Sequence, residues 1–151
     1  MMAKIFNSEI ELATRFLLIL REIENISISK LIGYDFMCTY GNDFNISTAN
    51  LHGENDLRYS ELTAKRDIAK ISIKFLLGYG YINVNNTSYG YTYSVTDKGK
   101  KFCDKLNDDY SEKYSMLIKE VGESYSRLSD TTLLKYISNH ALKKIGGVEV
   151  E

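Results

Sequence analysis

Hydrophobic residues recur every three or four positions in three stretches of the first half of the chain. This spacing is typical of helices that bury one face. Residues that cap helices stand near the start of each stretch, and glycine or asparagine stands near its end. The predicted helices begin at Asn7 or Ser8, at Ser27 or Ser29, and at Ser60, and they end near Glu24-Asn25, at Gly41-Asn42, and at Gly78 and Gly80.

After the third helix the pattern changes to partly alternating β-branched and aromatic residues, which indicates two strands. The strands are predicted over residues 81–84 and 91–95, with residues 85–90 joining them as a hairpin. Thr96 or Asp97 can cap a fourth helix, in which apolar residues recur at helical spacing as far as Leu128. At about 1.5 Å per residue, such a helix would project about 40 Å. A last short helix is predicted over residues 130–145.

The order of helices, hairpin and capped helix is that of a winged-helix domain. We therefore predict an α+β, mainly helical fold with a winged helix-turn-helix core over residues 1–98. Residues 99–151 are predicted to form a C-terminal helical extension that packs on this core as one structural unit. Winged-helix domains bind DNA or other proteins, so the fold points away from catalysis.

Residues 42–59 form a polar segment with little periodicity, which is long for a connection within a compact domain. It carries apolar residues at intervals, so we predict that it is ordered and packed on the domain. Phe44 and Leu51 are the predicted anchors, together with His52. A catalytic His52 would need a nucleophile or a second base, and a hydrogen-bonded loop anchor is the simpler interpretation.

Composition limits what the chain can bind. With 151 residues, of which 44% are hydrophobic and 26% charged, it is long enough for one domain with its own core. Its net charge of −1 lacks the basic surplus typical of tight DNA binders. Any DNA contact should therefore be local or shared with a partner. No apolar run approaches the ~20 residues that span a bilayer, and no secretory signal is recognised. We expect a cytoplasmic protein.

Recognised catalytic motifs such as GxSxG, HExxH and GxxxxGK do not occur in the sequence. Cys38 and Cys103 lie far apart, and only His52 and His140 could join them as metal ligands. Burial as free thiols is the usual state of such cysteines. We therefore expect no catalytic residue, no metal and no cofactor, and we expect that the protein is not an enzyme.

The third helix corresponds to the helix that enters the major groove in DNA-binding winged-helix proteins. Basic residues on and beside it are candidates for contact with the DNA backbone, while a solvated helix face is the alternative. Tyrosines crowd the hairpin, where they could stack on bases or pack across the strands. The backbone-contact candidates are Arg58, Lys65, Arg66, Lys70 and Lys74.

The fourth predicted helix carries an apolar stripe longer than a small winged-helix core can bury. Exposed apolar surface of this kind marks interaction sites, and tyrosine is frequent in interfaces. The stripe is therefore the predicted partner interface. It consists of Phe102, Leu106, Tyr110, Tyr114, Leu117, Val121 and Tyr125.

Several short pieces of the sequence, taken together and in their order along the chain, are similar to those of a known protein family. They are Ile5-Phe6-Asn7-Ser8, Leu31-Ile32-Gly33-Tyr34-Asp35-Phe36 with Tyr40-Gly41-Asn42-Asp43-Phe44, Asn50-Leu51-His52-Gly53, Tyr59-Ser60-Glu61-Leu62 with Lys65-Arg66, and Tyr91-Thr92-Tyr93-Ser94-Val95-Thr96 with Gly99 and Phe102. Together they resemble the middle-component family of bacterial ABC-three-component systems, to which the Lamassu-type anti-phage systems are related. The likeness covers about residues 4–120, and its last piece is generic to winged helices.

The resemblance implies a small accessory subunit of an anti-phage system. Such a subunit docks on a coiled-coil ATPase of the structural-maintenance-of-chromosomes (SMC) type and couples it to an effector, often a nuclease. Duplex DNA would be contacted through the complex. The alternative is a free-standing winged-helix transcriptional regulator that forms a homodimer through its long helix. Surplus basic charge and base-reading side chains would favour the regulator, and the chain is short of both.

Overall fold

The computed structural model describes residues 8–47, Leu51 and residues 58–146. Helices dominate this part of the chain, and the sheet is a single antiparallel hairpin, so the prediction of a mainly helical α+β fold is confirmed. The elements in chain order are α1 (Glu9–Glu22), α2 (Ile28–Thr39), a 3₁₀ helix (Gly41–Phe44), α3 (Arg58–Gly78), β1 (Ile82–Thr87), β2 (Gly90–Val95), α4 (Asp97–Asp104), α5 (Asp109–Tyr125) and α6 (Asp130–Gly146).

Hydroxyl side chains decide where three of these helices begin. The Ser8 hydroxyl accepts a hydrogen bond from the backbone N–H of the third residue after it, and so caps α1. Ser27 caps α2 and Thr96 caps α4 in the same way. A Ser or Thr cap typically adds about 1 kcal/mol to helix stability. The alternative starting points Ser29 and Asp97 are therefore not the caps, and Asn7 lies outside the described residues.

The hairpin is tighter than the sequence pattern suggested. β1 and β2 continue to the pair Thr87–Gly90, so that only residues 88 and 89 form the turn. Gly90 has a φ of 118°, which side chains larger than hydrogen rarely adopt. On its other edge β2 makes one further bridge, between Tyr93 and Ile26 of the segment that joins α1 to α2.

The first helix lies at the centre of the core. It contacts α2, α3, α4, α5 and β2, and every residue from Arg15 to Leu20 is buried. The sequence pattern had predicted one buried face. The helix is instead surrounded, because α5 folds back onto α1 and α2 while α6 packs on α2.

The predicted fourth helix is two helices, and the projection of about 40 Å is wrong. α4 ends with Lys105 as its C-cap, and α5 starts after Asp108. The Asp108 carboxylate accepts hydrogen bonds from the Ser111 N–H at 3.3 Å and from the Ser111 hydroxyl at 2.8 Å. This cap starts a new helix in a new direction, although the apolar spacing continues across the break.

Candidate functional site

Four side chains from four helices meet in the core around the carboxylate of Asp35 on α2. Arg15 of α1 donates from Nε to Oδ1 at 2.7 Å and from Nη2 to Oδ2 at 3.2 Å. Lys65 of α3 donates from Nζ to Oδ2 at 2.9 Å. Tyr114 of α5 donates its hydroxyl to Oδ1. All four residues are buried, so this cluster ties α1, α2, α3 and α5 together.

The neighbours of Asp35 keep its carboxylate ionised. Burial alone raises the pKa of a carboxyl group, but the charges of Arg15 and Lys65 outweigh it and hold the pKa of Asp35 well below its usual range. Burial also raises the pKa of the Tyr114 hydroxyl, and the nearby Asp35 carboxylate raises it further. Tyr114 is therefore a neutral donor to an ionised acceptor at neutral pH.

The Asp35 cluster is sealed from solvent and has a structural role. Breaking a buried ion pair by removing one partner typically costs 3–5 kcal/mol, because the other charge stays buried. The Tyr110 hydroxyl also bonds Arg15, and the Tyr110 ring stacks on Tyr114 with centroids 6.2 Å apart. The cluster therefore fixes α5 in place rather than forming a site that a substrate could reach.

The stripe predicted as a partner interface faces the inside of the protein. Tyr114 and Val121 are fully buried. Its remaining members are half-buried and pack against the core: Phe102, Leu106, Tyr110, Leu117 and Tyr125. Met116 is the large hydrophobic residue that α5 exposes. The stripe is an internal packing surface, because the break before Asp108 lets α5 return to α1 and α2.

The basic residues of α3 separate into different environments. Lys70 and Lys74 are exposed. Arg66 is half-buried and donates from Nη2 to the Ser29 hydroxyl at 3.0 Å. Lys65 is buried against Asp35, so the structure leaves it no surface to offer a phosphate. Arg58 begins α3, and its side chain lies outside the described residues.

The exposed face of α3 is not purely basic. Asp67 lies on it beside the lysines, and two large aliphatic residues, Ile71 and Leu77, are also exposed. A face that mixes charges of both signs with aliphatic side chains suits contact with a protein as well as contact with phosphates.

Aromatic rings connect the end of α3 with the hairpin and α4. The Tyr79 ring lies 4.6 Å from that of Phe75 and stacks on Tyr81 at 5.9 Å, and Tyr81 lies 5.2 Å from Phe102. Tyr79 is 54% exposed, while Tyr81 is half-buried. These rings pack between the end of α3, the start of the hairpin and α4, and not across the two strands.

The tyrosines of β2 and its turn divide into inner and outer ones. Tyr93 is buried and belongs to the core, whereas Tyr91 is 60% exposed and Tyr89 in the turn is fully exposed. The outer rings give the hairpin a polar-tipped aromatic surface.

The loop after α2 is anchored at its start. Phe44 is buried, with its ring 6.1 Å from Phe36, 6.0 Å from Tyr136 and 4.8 Å from the His140 ring. Leu51 packs partly buried against the core. His52 lies outside the described residues, as do residues 48–50 and 53–57 of the predicted loop.

A cleft of about 540 Å³ opens beside the outer tyrosines. Its walls are the segment before α2, the hairpin and the start of α6. The lining side chains are mostly hydroxyl-bearing or aromatic. They belong to Asn25, Ile26, Ser27, Lys30, Thr87, Tyr89, Tyr91, Thr92, Ser129, Asp130 and Thr131.

The described residues contain no group of three or more His, Cys, Asp or Glu side chains that could hold a metal ion. Both cysteines are buried as free thiols. Burial raises the pKa of Cys103 to about 11 and that of Cys38 well above its ordinary value. In the same part of the chain no helix is long and apolar enough to cross a membrane.

Sequence reasoning did not identify the Asp35 cluster. Its signal was present, since Arg15 interrupts an otherwise apolar run in the first helix and Asp35 stands among apolar residues in the second. Single charges of opposite sign in two core helices point to a buried pair. The third and fourth members were not recognisable, because Lys65 lies in a charged helix face and Tyr114 in an apolar stripe.

A comparison with protein families finds a match over most of the chain. The family model described as ABC-three component (ABC-3C) system Middle Component 2 matches residues 5–146. No curated protein and no solved structure matches the chain. The match spans both halves of the fold, including α5 and α6, and therefore all four members of the Asp35 cluster.

Proposed function

This chain belongs to the Middle Component 2 family of ABC-three component systems, and on that premise we propose that it is a non-catalytic winged-helix accessory subunit. It docks on an SMC-type coiled-coil ATPase and couples it to an effector, such as a nuclease, in bacterial anti-phage defence. The complex works in the cytoplasm on duplex DNA, and the subunit needs no cofactor.

The topology supports the winged-helix assignment. Three helices precede the hairpin, and the segment between the first two pairs with β2 through Ile26. That pairing is a single bridge on the outer edge of the two-stranded sheet. The hairpin lies after α3, where a wing lies in winged-helix domains.

The observation that carries the docking role is the exposed apolar surface at the end of α3 and on the hairpin. Leu77 and Tyr79 are exposed there, next to the aromatic contacts of Phe75 and Tyr81. Exposed apolar side chains that cluster in this way mark interaction surfaces. The Asp35 cluster holds the first half of α3 in place through Lys65, and a helix held in this way is preorganised for a partner.

DNA contact is a second, weaker role of the same face. Lys70 and Lys74 are exposed on α3 and can neutralise phosphates. Asp67 beside them and the net charge of −1 weaken such contact. We therefore assign these lysines a contribution to DNA binding by the complex rather than by the isolated subunit.

Co-purification tests the docking role. The chain is co-expressed with the ATPase and the effector of its system, and the wild type is expected to co-purify with the ATPase. A Leu77→Asp/Tyr79→Asp double variant should lose the ATPase, because two charges would be buried in the interface. The control is Met116→Asp, which places one carboxylate on an exposed apolar position of α5.

Two outcomes would contradict the docking role. In the first, wild-type chain never retains the ATPase but forms a stable homodimer that binds its own promoter, as the regulator alternative requires. In the second, the double variant remains folded by circular dichroism and retains the ATPase as the wild type does.

A further inference from the structure

The outer edge of β2 is only partly covered. Tyr93 and Ile26 exchange both backbone hydrogen bonds, from Ile26 N–H to the Tyr93 carbonyl at 3.3 Å and from Tyr93 N–H to the Ile26 carbonyl at 2.9 Å. The backbone polar groups of Tyr93 therefore point away from β1, towards the outer edge.

Alternation along the strand places Tyr91 on the same outer edge. In an antiparallel pair, successive residues direct their N–H and C=O groups to opposite sides. Thr92 lies between the two tyrosines and faces β1, opposite Asn85. The N–H and C=O of Tyr91 point outwards and bind no backbone group within the described part of the chain.

The start of α2 explains why this edge is uncovered. In antiparallel register with Ile26 opposite Tyr93, residue 28 would stand opposite Tyr91. Ser27, however, is the N-cap of α2, and its side chain accepts a hydrogen bond from the Lys30 N–H at 3.2 Å. The chain therefore turns away from the sheet one residue after the bridge and leaves a gap beside Tyr91 at the outer edge of β2.

That gap opens into the cleft of about 540 Å³. The two charged residues of its lining are already engaged. Lys30 donates to the Ser126 carbonyl at 3.5 Å, and Asp130 accepts from the Ser27 hydroxyl at 2.7 Å. The rest of the lining is uncharged. The cleft therefore suits neither a phosphate nor a metal ion. Its tyrosines can serve as rigid aromatic contacts and its Ser and Asn side chains as adaptable hydrogen-bonding groups, a combination found in protein-binding surfaces.

We propose that the cleft binds an extended segment of a partner subunit, which adds to β2 as a strand at Tyr91. The segment would take the place that residue 28 leaves empty and bond the N–H and C=O of Tyr91. It would be uncharged where it crosses the cleft, with an apolar side chain against the rings of Tyr89 and Tyr91. β2 has no charged residue and no proline, the devices that usually block an open edge. This inference rests on the proposed role as a docking subunit.

A proline substitution tests the contribution of the Tyr91 backbone N–H by itself. Tyr91→Pro removes the outward N–H, and the ladder between β1 and β2 does not use that group, so the hairpin should persist. Asn86→Pro is the matched control, because Asn86 stands directly opposite Tyr91 and directs its N–H to the other edge of the hairpin. A third variant, Tyr91→Ala, keeps the N–H but removes the ring.

Each variant is co-expressed with the ATPase and the effector, and the dissociation constants of the complexes are compared. Tyr91→Pro should weaken binding of one partner about tenfold or more, because a lost interface hydrogen bond leaves its acceptor buried and unpaired. Asn86→Pro should bind within about twofold of the wild type. Hydrogen exchange at single-residue resolution should show the Tyr91 amide slowed only in the complex, while the Thr92 amide is slow in both states.

Several results would contradict the proposed strand addition at Tyr91 but not the docking role. One is a complex that assembles while the Tyr91 amide exchanges as fast as in the free chain. Another is equal loss of binding for Tyr91→Pro and Asn86→Pro. Protection of the Tyr91 amide in a dimer of this chain alone, or on addition of duplex DNA alone, would assign the edge to a second copy or to nucleic acid. If wild-type chain binds neither subunit, the docking role fails and the strand proposal fails with it.

Discussion

Arg15 and Asp35 form a two-point ion pair in the centre of the protein, with Nε 2.7 Å from Oδ1 and Nη2 3.2 Å from Oδ2. This geometry is the strong, directional form of the interaction. Because the same carboxylate also accepts from Lys65 and Tyr114, one side chain of α2 fixes the positions of three other helices. Through these contacts Asp35 helps to set the orientation of α3 and α5 relative to α1 and α2.

Asp35→Asn should destabilise the fold by about 3–5 kcal/mol, since it leaves the charges of Arg15 and Lys65 buried without their counter-ion. Urea unfolding measures the loss directly. Asp67→Asn is the matched control, because Asp67 is exposed on α3, and it should change stability by less than about 0.5 kcal/mol. A loss below about 1 kcal/mol in Asp35→Asn would mean that the cluster is not an energetic centre of the fold.

Acid should destabilise the wild type through the same carboxylate. The pKa of Asp35 is held below its unfolded value of 3.8, so the ionised group contributes stability above about pH 4. That contribution is lost as the pH falls below 4, because the unfolded chain takes up the proton first. The free energy of unfolding should fall more steeply between pH 5 and 2 in the wild type than in Asp35→Asn. Parallel curves for the two proteins would exclude Asp35 as the cause.

The helix starts could be predicted from the sequence because each one depends on a capping residue next to the helix. Ser8, Ser27 and Thr96 each stand one residue before a helix, and a cap can be recognised from neighbouring residues alone. The break at Asp108 had a local signal as well, but the apolar spacing that continues across it dominated the prediction. The same continuous spacing placed the predicted partner stripe on one projecting helix. Tyr114 and Val121 of that stripe are buried, and contact of its half-buried members with a partner stays a prediction.

The Asp35 cluster could not be derived locally, because its members come from four separate helices. Asp35 and Lys65 are 30 positions apart, and Tyr114 lies 79 positions after Asp35. Two of the sequence pieces that carry the family resemblance contain Asp35 and Lys65. They marked the family but not the cluster, because neither piece shows which residues meet in three dimensions.

Gly99 is expected to be intolerant of any side chain. A Cβ at this position in α4 would collide with the carbonyl oxygen of Tyr81, a backbone atom that cannot move away easily, and would crowd Val95. The Tyr81 carbonyl also accepts from the Thr96 N–H at 3.0 Å and so joins the hairpin to α4. Gly99→Ala should cost about 1–3 kcal/mol in thermal or urea unfolding.

Gly78 provides the control for this substitution. It ends α3, is exposed, and has nothing within 4 Å of an added Cβ. Gly78→Ala should therefore leave stability within about 0.5 kcal/mol of the wild type. Unchanged or increased stability in Gly99→Ala would show that the contact with Tyr81 does not constrain this position, because Ala favours a helix more than Gly does.

The basic face of α3 can be tested by its effect on salt dependence. If Lys70 and Lys74 each neutralise a phosphate, Lys70→Glu/Lys74→Glu should weaken retention of duplex DNA by the assembled complex. It should also reduce the slope of log affinity against log salt by about two, because each contact releases condensed counterions. Binding is measured by fluorescence anisotropy from about 50 to 200 mM salt, the range over which such contacts dominate.

The control for this experiment must carry the same charge change elsewhere. Lys113 and Lys119 are exposed on α5, so Lys113→Glu/Lys119→Glu alters the net charge of the subunit equally. A specific contact at α3 predicts a change of slope in the first double variant and almost none in the second. Similar slopes for both variants and the wild type would identify Lys70 and Lys74 as an ordinary solvated helix face. Equal reductions of the slope in both variants would point to a diffuse electrostatic effect of the whole subunit. Lys65 cannot replace the lost phosphate contacts, because Asp35 holds it in the core.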